Sequence, residues 1–203
     1  MSVDLRATIV LVTTASREAL ALGDRIAILR EGHLQQIGTP NEVYYQPANE
    51  FVASFVGEPP MSFLGIEPTT ENGQLYFSIQ DCTSRLRVPP QLAQHMNGEK
   101  AGYRLGVRAS EITIARQQDA AHPVPGLVYI IEHMGYSNII TVKVGSGLVR
   151  VVTDPAVTPE RNETIYLSLD ADHMHLFYQQ KAICHPSRFL DEGRANAAGM
   201  NAR

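Results

Sequence analysis

His173 and His175 stand two residues apart in the run D-A-D-H-M-H-L-F, with Asp170 and Asp172 just ahead of them. On a strand, residues i and i+2 share a face, so two imidazoles with a nearby carboxylate are the residue types of a small metal site. The same spacing also suits an ordinary half-buried strand, and that reading stands beside the first. Arg108 and Glu111 form a second candidate. A guanidinium and a carboxylate three residues apart could receive a small anion or a sugar, or could simply pair and stabilise a turn. His33 falls at an expected hairpin and His122 precedes Pro123 in a loop, so both read as surface histidines. Arg188 and Arg194 either touch lipid head groups or remain solvated charges.

Other chemistry is excluded by pattern. Cys82 and Cys184 form neither a CxxC motif nor a disulfide framework, and suit a reducing compartment. No G-x-x-x-x-G-K-[ST] occurs, so the loop whose backbone N–H groups and lysine would hold nucleotide phosphates is missing from these residues. A net charge of −4 argues against nucleic acid as a partner. No apolar run approaches the roughly 20 residues that cross a bilayer, and no secretory apolar segment opens the chain. The expectation is a soluble, cytoplasmic, globular protein. With 203 residues, 44% of them hydrophobic, it has room for one or two domains.

The elements that must position these residues change character along the chain. Ala7 to Thr13 is a continuous apolar and β-branched run, expected to be a strand covered on both faces. A short helix should follow, with Ser16 as N-cap, Glu18 in the first turn and Gly23 as the stop. Arg25–Leu29 and His33–Ile37 read as a hairpin about Gly32. Thr39-Pro40-Asn41-Glu42 is a full capping box with proline at N1. Pro47 ends that helix, and Asn49 starts another with Phe51, Val52, Phe55 and Val56 on one face. After Phe63 the predicted strands are short: Gln74–Gln80, Ser84–Val88, Tyr103–Arg108, Ile112–Arg116, Gly126–His133, Asn138–Val144, Leu148–Thr153, Glu163–Leu169 and His173–Tyr178. One or two helical turns are expected over Pro90–Met96. Such spacing, broken by glycine and proline, predicts a small barrel. From His185 onward the composition predicts a frayed tail.

Two blocks carry a resemblance. The first holds Val12-Thr13, Glu18-Ala19, Asp24-Arg25-Ile26, Gly38-Thr39-Pro40, Glu42, Tyr44, Pro47, Asn49, Phe51-Val52-Ala53, Gly57, Pro59 or Pro60, Met61 and Phe63. This order resembles the last part of the ATP-binding subunit of ABC importers of the sugar and glycerol-phosphate type. The second block resembles the TOBE regulatory barrel of that family. It holds Leu105-Gly106-Val107-Arg108-Ala109-Ser110-Glu111-Ile112, with Ala109 where proline is usual, then Glu132-His133-Met134-Gly135 and His175-Leu176-Phe177.

The resemblance implies an α+β, mainly β chain. Residues 1–60 would be a remnant of an α/β nucleotide-binding domain. Residues 61–184 would be an OB-like barrel of TOBE or MOP type, and 185–203 a flexible tail. For a complete subunit it implies ATP and magnesium, a permease pair as partner, and a place on the inner face of the membrane. In this chain it implies no cofactor, because the signature L-S-G-G-Q is also absent and Thr14 occupies the switch-histidine position. A threonine hydroxyl cannot exchange a proton near neutrality as an imidazole does. The residues expected to carry function are therefore regulatory: Arg108, Glu111, Gly135 and Phe177. A homodimer is expected, held by the barrels or by the apolar strand at Ile9–Val12. The alternative is a free-standing module of OB or MOP type that binds an oxyanion or a sugar.

Overall fold

The computed structural model describes residues 7–96, 98–99, 101–169 and 173–186. Local signals in the first sixty residues set a small helix-and-hairpin unit. Helix α1 (Ser16–Leu22) is followed by strands β1 (Ile26–Arg30) and β2 (His33–Gly38), which pair antiparallel. Their turn has positive φ at Glu31 and Gly32, matching the right-handed strand twist. Helix α2 (Pro40–Tyr45) carries the expected capping box: Thr39 Oγ1 accepts from Glu42 N–H while Thr39 N–H donates to the Glu42 carboxylate at 2.7 Å. Helix α3 (Glu50–Phe55) is capped by Asn49, whose side-chain oxygen accepts from Val52 N–H. Ile26, Ile28, Val43, Val52 and Val56 close a small core between hairpin and helices.

Three local expectations are corrected. Ala7–Thr13 forms no strand, and Ile9 to Val12 are 54% to 91% exposed. A run patterned for burial on both faces has no neighbouring strand here to pair with. Ala15, not Ser16, is the N-cap of α1, without a side-chain bond, and Gly23 is extended rather than left-handed. In α3 the buried face is Val52, Ala53 and Val56; Phe55 stays 40% exposed, stacked on Phe51 at 6.0 Å.

The rest is two antiparallel sheets curled around one core. The six-stranded sheet contains β3 (Ser62–Glu71), β4 (Gln74–Ile79), β5 (Arg85–Arg87), β6 (Tyr103–Val107), β12 (His175–Tyr178) and β13 (Lys181–Cys184), in the order β13-β12-β6-β3-β4-β5. The five-stranded sheet contains β7 (Ile112–Ala115), β8 (Val124–His133), β9 (Asn138–Val144), β10 (Gly147–Thr153) and β11 (Thr164–Leu169), in the order β10-β9-β8-β11-β7. Helix α4 (Pro90–Ala93) and a 3-10 turn at Ala109–Glu111 complete the element order.

Alternation does the sorting: Ile140 and Val142 of β9 face Val151 and Val149 of β10 in register, Val144 faces Gly147, and the five valine and isoleucine side chains are buried. Leu64, Ile66, Phe77, Leu105 and Leu176 from the other sheet meet them in the same cluster. Thr141, on the opposite face of β9, is also only 6% exposed, in register between Ile130 and Arg150. The sheets are also bonded directly, by Arg150 N–H to Ser62 Oγ at 2.9 Å and Ser84 Oγ to the Pro123 carbonyl at 2.9 Å. The fold is mainly β, with a curled half-barrel after the helical unit. No described helix is long and apolar enough to cross a membrane.

Candidate functional site: the junction of helices and barrel

A short helix leaves its last carbonyls without intrahelical partners, and they form the negative end of its dipole. Helices α2 and α3 both end against the barrel, at the tip of β6. Arg108 follows β6 and is 4% exposed. Its Nη1 donates to the carbonyls of Ala53, at 3.1 Å, and Val56; its Nη2 donates to the Tyr44 carbonyl at 2.7 Å. One planar fork thus satisfies the ends of both helices, a task that suits guanidinium and not ammonium. The Arg108 Cζ also lies 4.2 Å above the Tyr44 ring. Burial pulls its pKa down to about 10, with Tyr44 and Tyr45 opposing, so the group stays charged at neutral pH. Gly57 admits it: φ is +111° there, and a Cβ would lie 2.7 Å from Nη1.

Apolar packing backs this pin. Ala53 of α3, Met61 and Phe177 of β12 form a buried cluster, joined by Phe63 and Ala182. The Phe63 and Phe177 rings meet edge to face at 5.3 Å. Gly106 makes room, since a Cβ there would lie 2.6 Å from both Met61 Sδ and Phe177 Cε2. Arg104 Cζ sits 5.0 Å over Phe63 while its Nη1 reaches Glu50 Oε2 at 2.6 Å.

The backbone then crosses the same boundary. Gln180, in the β12–β13 turn, accepts from Glu50 N–H at 2.9 Å; Ala182 N–H donates to the Ala48 carbonyl at 3.1 Å; Asn49 and Lys181 form an antiparallel bridge. On the far side, Gln36 of β2 bonds both Gln46 and Ala48, tying the hairpin to the same linker.

The four regulatory candidates are thus separated by the structure. Arg108 and Phe177 meet at the junction. Glu111 leaves it, its Oε2 lying 3.3 Å from His173 Nδ1. Gly135 is at the exposed β8–β9 tip of the other sheet, with φ +85° and nothing within 4 Å of a Cβ. The shared-face reading of His173 and His175 is corrected: His173 precedes β12 in a 3-10 conformation, and His175 is buried inside the sheet. Its ring meets His185, Nδ1 to Nδ1, at 3.0 Å. Asp170 and Asp172 lie outside the described residues, as does the chain from 187 on. His185 and Pro186 belong to the folded part and not to a frayed tail.

Sequence reasoning missed β3, β13, Arg104–Glu50 and His185. Only Gly106 gave a signal, as the glycine of the Gly106-Val107-Arg108 segment, whose physical reason is the Phe177 ring.

A family model described as the TOBE domain matches residues 105–177. That span runs from β6 through β12 and includes Arg108, Glu111, Gly135 and Phe177. An uncharacterized ABC transporter ATP-binding protein of Bacillus subtilis, YurJ, is 33% identical over 178 residues, covering 85% of this chain and 48% of its own length. The sn-glycerol-3-phosphate import ATP-binding protein UgpC 1 of Rhizobium johnstonii is 31% identical, over 85% of this chain and 45% of itself. The trehalose/maltose import ATP-binding protein MalK of Thermococcus litoralis is 36% identical, over 70% and 38%.

The chain carries a TOBE domain and is homologous to the C-terminal portion of ABC transporter ATP-binding subunits.

It spans about half the length, or less, of these curated relatives. Among solved structures, the molybdate-binding protein ModG aligns with a TM-score of 0.45 and 10% identity, over 57% of this chain and 94% of its own. The junction is therefore the seam between the helical unit and the sheets that carry the TOBE match.

ATP and magnesium, implied for a complete subunit, do not fit the residues present. The sequence lacks a phosphate-binding loop. Thr14 is exposed, and Thr13 beside it caps the approach to α1, donating to Glu18 Oε2 at 2.9 Å and accepting from Ala15 N–H at 3.0 Å.

Proposed function

We propose that this chain is the coupling and regulatory part of an ATP-binding subunit of a solute importer, for a carbohydrate or polyol, and does not hydrolyse ATP by itself. The observation that carries the reading is the Arg108 pin. One buried guanidinium holds the ends of α2 and α3 against the TOBE half-barrel, so that a displacement of either is felt by the other. Helices locked in this way transmit motion as a unit, because packed interiors yield in discrete steps. The partners in this reading are a second ATP-binding subunit, in a homodimer, and the permease pair on the inner face of the membrane. ATP and magnesium belong to the complete assembly. Names of relatives such as UgpC 1 and MalK support the solute class.

A second reading, a module that binds an oxyanion or a sugar, has one observation in its favour. An open recess of about 460 Å³ is lined by Phe63, Glu67, Gln80, Arg104 and Ser146, an aromatic face with amide, hydroxyl and charged groups around it.

Light scattering of the purified chain, alone and mixed with a full-length relative such as MalK, tests the first reading, with isothermal titration against molybdate, maltose and glycerol 3-phosphate. A self-associated chain that also enters mixed dimers, with no small-ligand heat, is the expected outcome. A monomer at tens of micromolar that binds one of these ligands overturns it in favour of the second.

A further inference from the structure

The junction also contains a pair of titratable rings, His175 and His185. His175 is 1% exposed at the start of β12, opposite Gly106 of β6. His185 directly follows β13, and the rings meet with centroids 5.3 Å apart at 73°. Their Nδ1 atoms are 3.0 Å apart. At that separation one ring must donate an N–H and the other accept it, so the accepting Nδ1 carries no proton and a single hydrogen joins them. The pair ties β13 to β12 beyond the ladder, where the register already shifts between Leu176 and Phe177. Strand β13 and the turn before it are what the helical unit holds by backbone, through Ala48, Asn49 and Glu50.

We propose that the His175–His185 pair is a proton-sensitive clasp: protonation of the accepting ring drives the two apart, loosens β13 from β12, and weakens the backbone bonds by which β13 and the turn before it hold the start of α3.

The physical case is geometric. A proton on the accepting Nδ1 as well places two N–H groups against each other at a distance fit for one hydrogen bond, and one ring must swing away. His175 cannot, being enclosed, so His185 leaves and takes the end of β13 with it. The neighbouring positive charge of Arg108 opposes protonation. Arg108, at the end of β6, is positive and buried. Glu111, on the following turn, is already against His173. Cys184, the last residue of β13, is raised by burial and donates from Sγ to the His185 carbonyl. Burial, then His185, then Arg108 hold His175 well below its ordinary pKa, and burial holds His185 at about 4. The folded clasp is thus closed at neutral pH, and acid favours whichever state exposes the imidazoles. The proposal rests on the coupling role given above, but its readout is local and does not depend on transport.

Amide exchange on the full chain tests it, at pH 7.5 and pH 5.0, corrected for intrinsic rates. Exchange over Lys181–Cys184 and Glu50–Val52 should rise about tenfold at the lower pH, while β9 stays protected. His185→Gln should reduce that rise to less than about threefold, and His33→Gln, at an exposed site, should leave it unchanged. An equal rise in H185Q, a uniform rise that includes β9, or no rise in the parent chain overturns the clasp. Should H185Q fail to fold, NMR titration of the parent chain decides. Midpoints below 6 for both imidazoles, coincident with shifts of the β13 amides, support the clasp, and independent midpoints near 6.5 overturn it.

Discussion

The Arg108 guanidinium bonds and stacks on the same residue: Nη2 donates to the Tyr44 carbonyl at 2.7 Å while Cζ lies 4.2 Å over the Tyr44 ring. With Ala53 and Val56 also held, removal of this side chain strands helix-end carbonyls in a buried place. Hydrogen bonds to a charged donor contribute roughly 1.5–3 kcal/mol each and are not additive, so Arg108→Ala should cost about 3 kcal/mol. Arg108→Lys should recover less than half, since one ammonium cannot replace a fork that reaches two helices. Urea unfolding of the three chains measures this, and equal stability of Lys and Arg would show that only charge matters.

Phe177 and Gly106 make the complementary case for packing. A methyl at position 106 meets a flexible Met61 thioether and a Phe177 ring locked between β3 and α3. Gly106→Ala should cost about 1–3 kcal/mol by overpacking. Adding Met61→Ala should restore part of it, which a double-mutant cycle reads as coupling. Full additivity would mean the methyl is accommodated elsewhere.

These two residues also show what the sequence could and could not convey. The capping box at Thr39–Glu42, the hairpin at Gly32 and the alternation of β9 are local rules, and local rules were readable. The junction depends on contacts between residues more than fifty positions apart, such as Arg108 with Ala53, and no periodicity encodes them. Strand β13 was unreadable because its short run, Lys181 to Cys184, alternates weakly and follows a turn with positive φ at Gln179 and Gln180, where glycine or asparagine would have marked the bend. Ala7–Thr13 failed in the opposite sense: its composition asks for a parallel neighbour that the described residues do not supply. His185 was read from the polar composition around it, but a single side chain buried against His175 needs no apolar neighbours in sequence.

Thermal stability should depend on pH through the same imidazoles. Both have folded pKa values below the unfolded value, so the unfolded chain binds more protons between about pH 6.5 and about pH 4. Stability is fully present above 6.5 and declines as pH falls through that window; the His185 contribution levels off near pH 4, while that of His175, held well below its ordinary value, continues to fall. A loss of roughly 1–2 kcal/mol should lower the melting temperature by about 4 °C or more between pH 7 and pH 5. A melting temperature that rises on acidification would reverse the sign and with it the neutral assignment of the pair.

The capping box gives a sharper local test. Thr39 Oγ1 accepts from Glu42 N–H, and its own N–H is bonded by the Glu42 carboxylate. Thr39→Ala removes one half of this reciprocal arrangement and should cost about 1 kcal/mol. Since α2 presents the Tyr44 carbonyl to Arg108, protease cleavage between residues 38 and 48 should quicken as well. Loss of stability without faster cleavage would place the cost outside α2.

Placing a histidine at position 14 should add no activity. An imidazole acts on a nucleotide only where phosphates are already held, by backbone N–H groups at a helix N-terminus and by a lysine and magnesium. The sequence has no such loop, and Thr14 sits exposed on an unpaired stretch ahead of a seven-residue helix. Thr14→His therefore adds a solvated side chain without a substrate beside it. Phosphate release from ATP by the purified chain should stay at the buffer rate before and after the substitution. A magnesium-dependent rate in either form, proportional to protein and retained through a second purification, would show that these residues hold a nucleotide, and the division of labour proposed for the subunit would fall.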